Sequence, residues 1–258
     1  MLTESKHRLR HGPELKVVRG GSGQPLVWLH GMASPGPEDE VLGALAQGHQ
    51  VIAPLSPGLA GLEELRDLPT LHDLVLFYDA ALEAMGVEQA AIVGHGFGAL
   101  LAAEFAALGT GRVGRLALVC PLGLWSDDHP VEDVFARRQP QVEELIWSGA
   151  SRRPEVQQSE DDAIEAIIRF ANGMGAMANY TWPIPDRGLR GRLYRIEVPT
   201  LVVGARSDAW IPAAYAEDFA AAIEGSRTAY LEGSHMAPYE DPAGFARMIG
   251  GFISDGAS

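Results

Sequence analysis

The sequence predicts an α/β fold, with a mostly parallel β-sheet and helices on both of its faces. Short runs of apolar and β-branched residues end in Gly, Pro or His, and longer segments of helical period follow them. Runs bounded in this way are typical of strands that are buried on both faces of a parallel sheet. The strand and helix signals alternate along the chain, as they do when helices connect parallel strands and cover both faces of the sheet.

The predicted elements follow in chain order. Strands are expected at residues 26–30, 51–54, 90–95, 116–121, 200–205 and 228–233. Thr70 is expected to cap a helix, because Asp73 stands three residues later and completes a capping box. Two further helices are expected at 97–108 and 212–224, since each segment is followed by a glycine. Asp241 is expected to begin the last helix, directly before a proline.

Residues 123–195 interrupt this alternation, because they contain helical patterns but no convincing strand. Helices are expected there at 131–138, 141–147 and 161–171. The sequence therefore predicts a core domain of residues 1–122 and 196–258 that carries a helical cap at 123–195. Four aromatic residues of the cap are candidate substrate contacts: Trp125, Trp147, Trp182 and Tyr180. The alternative is that each of them only packs the cap against the core.

The composition describes an acidic chain with a single cysteine. Its 258 residues include 20 lysines and arginines against 34 aspartates and glutamates, for a formal net charge of −14. This balance argues against nucleic acids and anionic membranes as partners, since both attract cationic surfaces. Cys120 is the one cysteine, which excludes a disulfide scaffold and a cysteine-based zinc site.

The sequence also bears on location and partners. No apolar run approaches the length of about 18 residues that a membrane helix needs. Residues 1–12 are polar and charged, unlike a signal peptide, so we expect a cytoplasmic protein. A small molecule is the expected partner, and the sequence is also compatible with a homodimer. Phosphate-binding and dinucleotide-binding fingerprints are missing, so neither an organic cofactor nor a metal is expected.

Residues that carry chemistry follow the predicted strands, at the edge where open α/β sheets bind ligands. His30-Gly31-Met32 follows the first strand, and Gly94-His95-Gly96-Phe97-Gly98 joins a later strand to its helix. Asp208 follows the strand at 200–205, and His235 follows the strand at 228–233. These motifs are therefore predicted to meet at one edge of the sheet.

In this order and spacing, together with the late Glu240-Asp241-Pro242, the motifs resemble the α/β-hydrolase superfamily, of the type of capped serine esterases and C–C hydrolases. The resemblance covers nearly the whole chain. It implies that Asp208 is the acid and His235 the base of a catalytic triad, in which the acid fixes the tautomer of the imidazole and the base moves the proton. It also implies an oxyanion hole formed by the backbone N–H groups of Met32 and Phe97.

The sequence departs from the family pattern at the nucleophile. The turn should contain Gly-x-Ser-x-Gly, and Gly96 stands where the serine is expected. Glycine has no side chain, so no acyl-enzyme can form at this position. It also adopts a strained turn without steric cost, so the fold tolerates the loss of the serine. The neighbouring His30 and His95 are structural in most such proteins, although His30 also stands where a substrate-binding residue is expected.

Three hypotheses for the function remain open. The first is an inactivated serine hydrolase, related to enzymes that cleave esters, lactones or C–C bonds of small apolar or aromatic substrates. The second is a natural serine-less enzyme that uses His235 and Asp208 as a general base on water or on the substrate. The third is a non-catalytic ligand-binding protein on the same scaffold. Arg187, Arg190 and Arg192 are candidates for binding a substrate carboxylate, although an arginine cluster among glycines is more often a solvated loop.

Overall fold

The computed structural model describes residues 1–32, 34–153 and 160–255, and for 160–163 only the backbone. These residues contain one mixed β-sheet, in agreement with the predicted fold class. Its strands are β1 (Thr3–Arg8), β2 (Glu14–Gly20), β3 (Pro25–Leu29), β4 (Gln50–Pro54), β5 (Ala90–His95), β6 (Val113–Val119), β7 (Thr200–Ala205) and β8 (Arg227–Leu231). Their order across the sheet is β1-β2-β4-β3-β5-β6-β7-β8.

The six predicted strands are confirmed as β3 to β8, and their pairings with one another are all parallel. The hairpin of β1 and β2 is an addition that the sequence did not predict, and it joins the sheet edge by antiparallel pairing with β4. Its strands carry charged side chains that are largely exposed. They therefore lack the continuous apolar runs by which the buried parallel strands are recognised.

Helices connect the parallel strands. They are α1 (Glu40–Leu45), α2 (Leu71–Ala84), α3 (Phe97–Ala107), α4 (Gln139–Ile146), α5 (Glu160–Thr181), α6 (Ala214–Ala222), α7 (Ala237–Glu240) and α8 (Pro242–Ser254). The predicted capping box is present at the start of α2, where the side chain of Thr70 accepts from the N–H of Asp73 and the Asp73 carboxylate accepts from the N–H of Thr70. None of the helices in the described residues is long and apolar enough to cross a membrane.

Two apolar cores lie on the two faces of the sheet, as the prediction of helices on both faces requires. Alternate residues of β3 show the division. Val27 and Leu29 pack into the core formed with α2, α3 and α6, whereas Leu26 and Trp28 pack into the core formed with α1 and α8. Successive side chains of a strand point to opposite faces, so a strand that is covered on both sides is apolar throughout.

The segment between β6 and β7 is helical, and its described residues contain no strand. The helix predicted at 141–147 is confirmed as α4. The helix predicted at 131–138 is wrong, since only a 3₁₀ turn forms there, at Val134–Ala136. Asp133 caps this turn by accepting from the N–H of Phe135, and Arg137 is already extended. A separate helix, α4, therefore begins after this extended residue, with a proline in its first turn.

Helix α5 differs most from its prediction. The sequence predicts a helix at 161–171, in which Ile164 and Ile167 recur at helical spacing, but both residues are more than half exposed. The helix continues to Thr181, and its core contacts come from the added turns, where Ala176, Met177 and Tyr180 are buried. Tertiary packing of these later residues extends the helix through two glycines that disfavour it locally.

Candidate active site

The turn between β5 and α3 places Gly96 at the carboxyl edge of the sheet. Gly96 has φ +57° and ψ −115°, a conformation that residues with a side chain rarely adopt. The flanking glycines are required for close approach. A Cβ at Gly94 would lie 2.2 Å from the carbonyl oxygen of Gly98, and a Cβ at Gly98 would lie 1.9 Å from that of Leu29. The glycine motif therefore builds a tight strand-to-helix elbow with position 96 at its tip.

Asp208 and His235 form a buried hydrogen-bonded pair at the same edge. Asp208 follows β7 and His235 follows β8, and the imidazole Nδ1 lies 2.8 Å from Oδ2 of the carboxylate. The other carboxylate oxygen accepts from the backbone N–H groups of Trp210 and Ile211, at 2.9 and 2.8 Å. An ionised carboxylate only accepts hydrogen bonds, so Nδ1 carries the proton and Nε2 is left as the basic nitrogen.

The basic nitrogen of His235 faces the tip of the elbow. A Cβ built on Gly96 would lie 3.1 Å from Nε2 of His235. The imidazole is held on both sides, since the ring of His95 stacks on it at 4.7 Å between centroids and the indole of Trp210 meets it edge-on at 4.8 Å. A hydroxyl group or a water molecule in the space beside Gly96 is therefore within hydrogen-bond reach of a fixed base.

His95 and His30 stabilise the loops around the elbow. Nε2 of His95 donates to the carbonyl oxygen of His235 at 2.9 Å. Nδ1 of His30 donates to the carbonyl oxygen of Gly31, and its Nε2 accepts from the N–H of Ser56 at 2.9 Å. Burial lowers the pKa of His95 to about 3 and that of His30 to about 4. Both side chains are therefore neutral near pH 7.

The two amides that the family resemblance nominates for the oxyanion hole lie at this site. Phe97 begins α3, so its N–H has no acceptor within the helix. The Gly31–Met32 loop lies against the elbow, with the Cα of Gly31 3.9 Å from the Cβ position of Gly96. Among the described residues, neither Met32 nor Phe97 donates its N–H to a backbone acceptor outside the regular elements.

Cys120 lies beneath the pair of Asp208 and His235, and its φ of +44° is unusual for a residue with a side chain. Possible ligand atoms of His95, Cys120 and His235 all lie within 4.8 Å of one another. One nitrogen of each imidazole already has a partner, however, since Nε2 of His95 donates to the carbonyl oxygen of His235 and Nδ1 of His235 binds Asp208. Burial and the charge of Asp208 raise the pKa of the Cys120 thiol well above its usual range, whereas metals bind the thiolate. The cluster is better suited to packing than to metal binding.

A cavity of about 20 Å³ lies beside the elbow. Its wall includes the predicted site residues His30, Met32, Phe97 and Tyr180, together with Leu74 and Met177. The structure does not bring the three candidate tryptophans to this wall. Trp125 donates from Nε1 to Asp127, Trp147 faces the guanidinium of Arg153 and Trp182 is 55% exposed.

Arg192 is committed to a structural ion pair, so the sequence hypothesis of a carboxylate-binding site is wrong for this residue. Its Nε donates at 2.9 Å to the carboxylate of Glu104, which is completely buried in α3, and a second nitrogen binds the other oxygen. Arg190 lies 3.7 Å from the carboxylate of Asp218. Arg187 donates to the carbonyl oxygen of Trp182.

Glu240, which the sequence supplied only as part of a motif, links the His235 loop to the helical segment. One of its oxygens accepts from both the N–H and the hydroxyl of Ser234 at 2.7 Å. The other accepts from the N–H and the hydroxyl of Ser151, at 2.6 and 2.9 Å. Burial alone would raise the pKa of Glu240, but these four hydrogen bonds outweigh it and lower the pKa. The carboxylate therefore stays ionised and holds both loops.

Replacement of Glu240 by glutamine is expected to destabilise the protein by about 1–3 kcal/mol. The new N–H₂ group faces the N–H and the hydroxyl of a serine. The N–H cannot accept a hydrogen bond, and the hydroxyl must rotate before it can. Urea denaturation measures the change in the free energy of unfolding. Ser151→Ala is the matched control, since it removes one of the four hydrogen bonds and should cost less. A Glu240→Gln variant as stable as the unmodified chain would show that these bonds do not hold the loop.

Comparisons with known proteins agree with the fold described above. The chain matches the sequence profile of the alpha/beta hydrolase family over residues 20–248. It belongs to the α/β-hydrolase family. A solved structure of a serine hydrolase from Cycloclasticus zankles superposes on this family member with a TM-score of 0.79 at 19% identity, covering 100% of both chains.

Two relatives of this α/β-hydrolase are similar along most of their length. A putative carbamate hydrolase, RutD, of Azorhizobium caulinodans is 28% identical, over 91% of this chain and 93% of the relative. A 2-hydroxy-6-oxononadienedioate/2-hydroxy-6-oxononatrienedioate hydrolase of Pseudomonas putida is 24% identical, over 91% of this chain and 89% of the relative.

Proposed function

We propose that this α/β-hydrolase cleaves a small ester, lactone or activated ketone without a covalent intermediate, with His235 as the general base for water. The observation that carries the proposal is the distance of 3.1 Å between Nε2 of His235 and the position of a Cβ at Gly96. A serine at position 96 would fill this space. With glycine, the same space admits a water molecule whose proton faces a buried, oriented base.

The reaction begins with attack of this water on the carbonyl carbon. As the oxygen–carbon bond forms, a proton moves from the water to Nε2 of His235, and ionised Asp208 stabilises the imidazolium. The N–H groups of Met32 and Phe97 bind the resulting oxyanion. The tetrahedral intermediate then collapses. The bond to the leaving alkoxide or enolate breaks, and the imidazolium returns the proton to that group.

Two further features support a small-molecule hydrolase. Both relatives are named as hydrolases, one of a carbamate and one of a dienedioate or trienedioate, so reactions with water are common to them. We also propose that residues 123–195 act as a cap on a core of residues 1–122 and 196–258. In support, Met177 and Tyr180 of α5 contribute to the wall of the cavity beside the elbow.

A second candidate is a family member that has lost turnover, and the backbone at Gly96 favours it. The turn keeps the positive φ and the close glycine contacts of a nucleophile elbow, although no nucleophile is present. A protein of this kind binds substrate and leaves it intact. The two candidates differ in whether the unmodified chain shows turnover that depends on His235.

The unmodified chain is expected to hydrolyse activated aryl esters and β-diketones slowly. An oxyanion hole and binding alone supply ~10³–10⁴-fold over the rate in water, and His235 as general base adds about 10²-fold or more. His235→Ala should therefore lower the rate by about 10²-fold or more and leave the part that binding and the oxyanion hole supply. Above about pH 5 the rate should not change through His95 or His30, because burial lowers their pKa values to about 3 and about 4. A pH–rate profile of the unmodified chain measures this.

His72→Ala is the matched control, because the side chain of His72 is half exposed and lies on α2. It should leave the rate and its pH profile unchanged. A rate that His235→Ala leaves unchanged would contradict the proposed role of this histidine. An unmodified chain that binds substrate without turnover would favour the second candidate.

A further inference from the structure

The small volume of the cavity beside the elbow limits the size of the substituent on the carbonyl carbon of a bound substrate. Its volume of about 20 Å³ is close to the space that one water molecule fills. Met32 and Phe97 form part of its wall, and their N–H groups are the proposed donors to the carbonyl oxygen. A carbonyl held by those donors places one of its two substituents against this wall.

The cavity is narrow because α5 is held close to the elbow. A Cβ added at Gly58 would lie 2.9 Å from the Cβ of Ala176, so the helix passes the loop after β4 as closely as a glycine allows. Tyr180 fixes the next turn of the helix, since its hydroxyl donates to the carbonyl oxygen of Leu68 at 2.9 Å. Its ring also stacks on Phe97 at 6.1 Å between centroids. These contacts make the small volume a built feature of the site.

A much larger cleft shares the loop after β4 with the cavity. Its volume is about 740 Å³, and Ser56, Pro57 and Leu59 line both spaces. The cleft carries charges of both signs, Lys16 and Glu64 among them. The site is therefore strongly asymmetric, with room for about one small substituent at the cavity and for a large polar group at the cleft.

From this asymmetry we infer the substrate class: the acyl half is a formyl, acetyl or carbamoyl group, and the large, polar half is the leaving group. The inference rests on the proposed function, because the carbonyl must lie at the N–H groups of Met32 and Phe97. In these acyl groups the carbonyl carbon carries a hydrogen atom, a methyl group or an amino group, and none of these is much larger than a water molecule. A large apolar or aromatic acyl group does not fit a cavity of this volume.

A chain-length series tests the inference. 4-Nitrophenyl acetate, butyrate and hexanoate present the same leaving group with acyl chains of increasing length. The unmodified chain is expected to prefer acetate over hexanoate by at least about 100-fold in kcat/KM, since a single methylene that does not fit a pocket costs about 10- to 200-fold and hexanoate has four more than acetate. Equal values, or a preference for hexanoate, would overturn the inference and leave the proposed reaction standing.

A variant of the cavity wall sharpens the test. Met177 is buried on α5 and lines the cavity, so Met177→Ala should enlarge it and raise kcat/KM for butyrate relative to acetate by about 10-fold. Met174→Ala is the matched control, because it makes the same change on the same helix at a residue that lines a groove elsewhere. It should leave the acyl-chain preference unchanged. A butyrate-to-acetate ratio that stays constant in Met177→Ala would contradict the assigned position of the acyl group.

Binding of the product carboxylates separates the inference from the proposed function. Acetate is expected to shift the amide resonances of Met32 and Phe97 in an NMR titration, whereas hexanoate at the same concentration should not. If the chain shows no turnover but this pattern holds, the proposed reaction fails and the size limit stands. If hexanoate shifts these resonances as strongly as acetate, or neither carboxylate shifts them, the size limit is wrong.

Discussion

Replacement of Gly96 by serine is expected to convert this chain into a covalent hydrolase that reacts with a fluorophosphonate and cleaves 4-nitrophenyl acetate at least about 10³-fold faster than the unmodified chain. The new Cβ lies 3.1 Å from Nε2 of His235, so the hydroxyl it carries is within reach of the base. This contact requires a shift of a few tenths of an ångström. The positive φ of position 96 adds strain of about 1–3 kcal/mol, which nucleophile elbows sustain.

Gly96→Ala is the matched control, because it introduces the same Cβ and the same strain without a hydroxyl. It should neither bind the fluorophosphonate nor accelerate the reaction. His235→Ala combined with Gly96→Ser should lose most of the gain. A Gly96→Ser variant that remains unlabelled and no faster than the unmodified chain would show that the base and the oxyanion donors are not arranged for catalysis.

Removal of Arg192 is expected to destabilise the protein strongly, by about 3–5 kcal/mol for Arg192→Ala. Its guanidinium holds the carboxylate of Glu104, which has no exposed side-chain surface. The hydrogen bond to Glu104 also raises the pKa of Arg192, so the guanidinium stays positively charged. The variant leaves a buried charge without its main partner, and chemical denaturation measures the lost free energy of unfolding.

Arg190→Ala provides the control for this prediction. Arg190 lies two residues earlier, and its ion pair with Asp218 is exposed on both sides. Exposed pairs contribute only about 0–1 kcal/mol, so this variant should unfold nearly as the unmodified chain does. Replacement of both Arg192 and Glu104 by methionine should recover most of the stability, because the buried charge is then absent. Equal stability of Arg192→Ala and Arg190→Ala would show that Glu104 is satisfied in another way.

The strands and the site residues were accessible from the sequence because their signals are local. β5 and β7 are buried on both faces, so each is an unbroken apolar run that is visible without any knowledge of its neighbours. Asp208 and His235 follow such runs, and parallel strands bring their carboxyl ends to one edge. The partnership at 2.8 Å is therefore a consequence of strand order, which the motif spacing already implied.

The elements that the sequence mispredicted depend on contacts distant in the chain. α5 continues through Gly173 and Gly175 because later residues of the helix, Ala176, Met177 and Tyr180, pack on the core. The helix propensity of the local sequence does not predict this extension. The role of Arg192 was missed for the same reason. Its partner Glu104 lies 88 residues earlier on a helix that otherwise has only apolar and small residues.

The sequence by itself determined the α/β fold, the identity of the carboxylate and the imidazole that pair at the candidate site, and the absence of a side chain at position 96. These properties depend on residue identity and on short-range patterns of burial. The tertiary structure decided the direction of His235 towards Gly96, the use of Glu240 to hold its loop and the asymmetry between the cavity of about 20 Å³ and the cleft of about 740 Å³. The size of a cavity depends on how closely separate elements approach, and that distance is set by side chains far apart in the sequence.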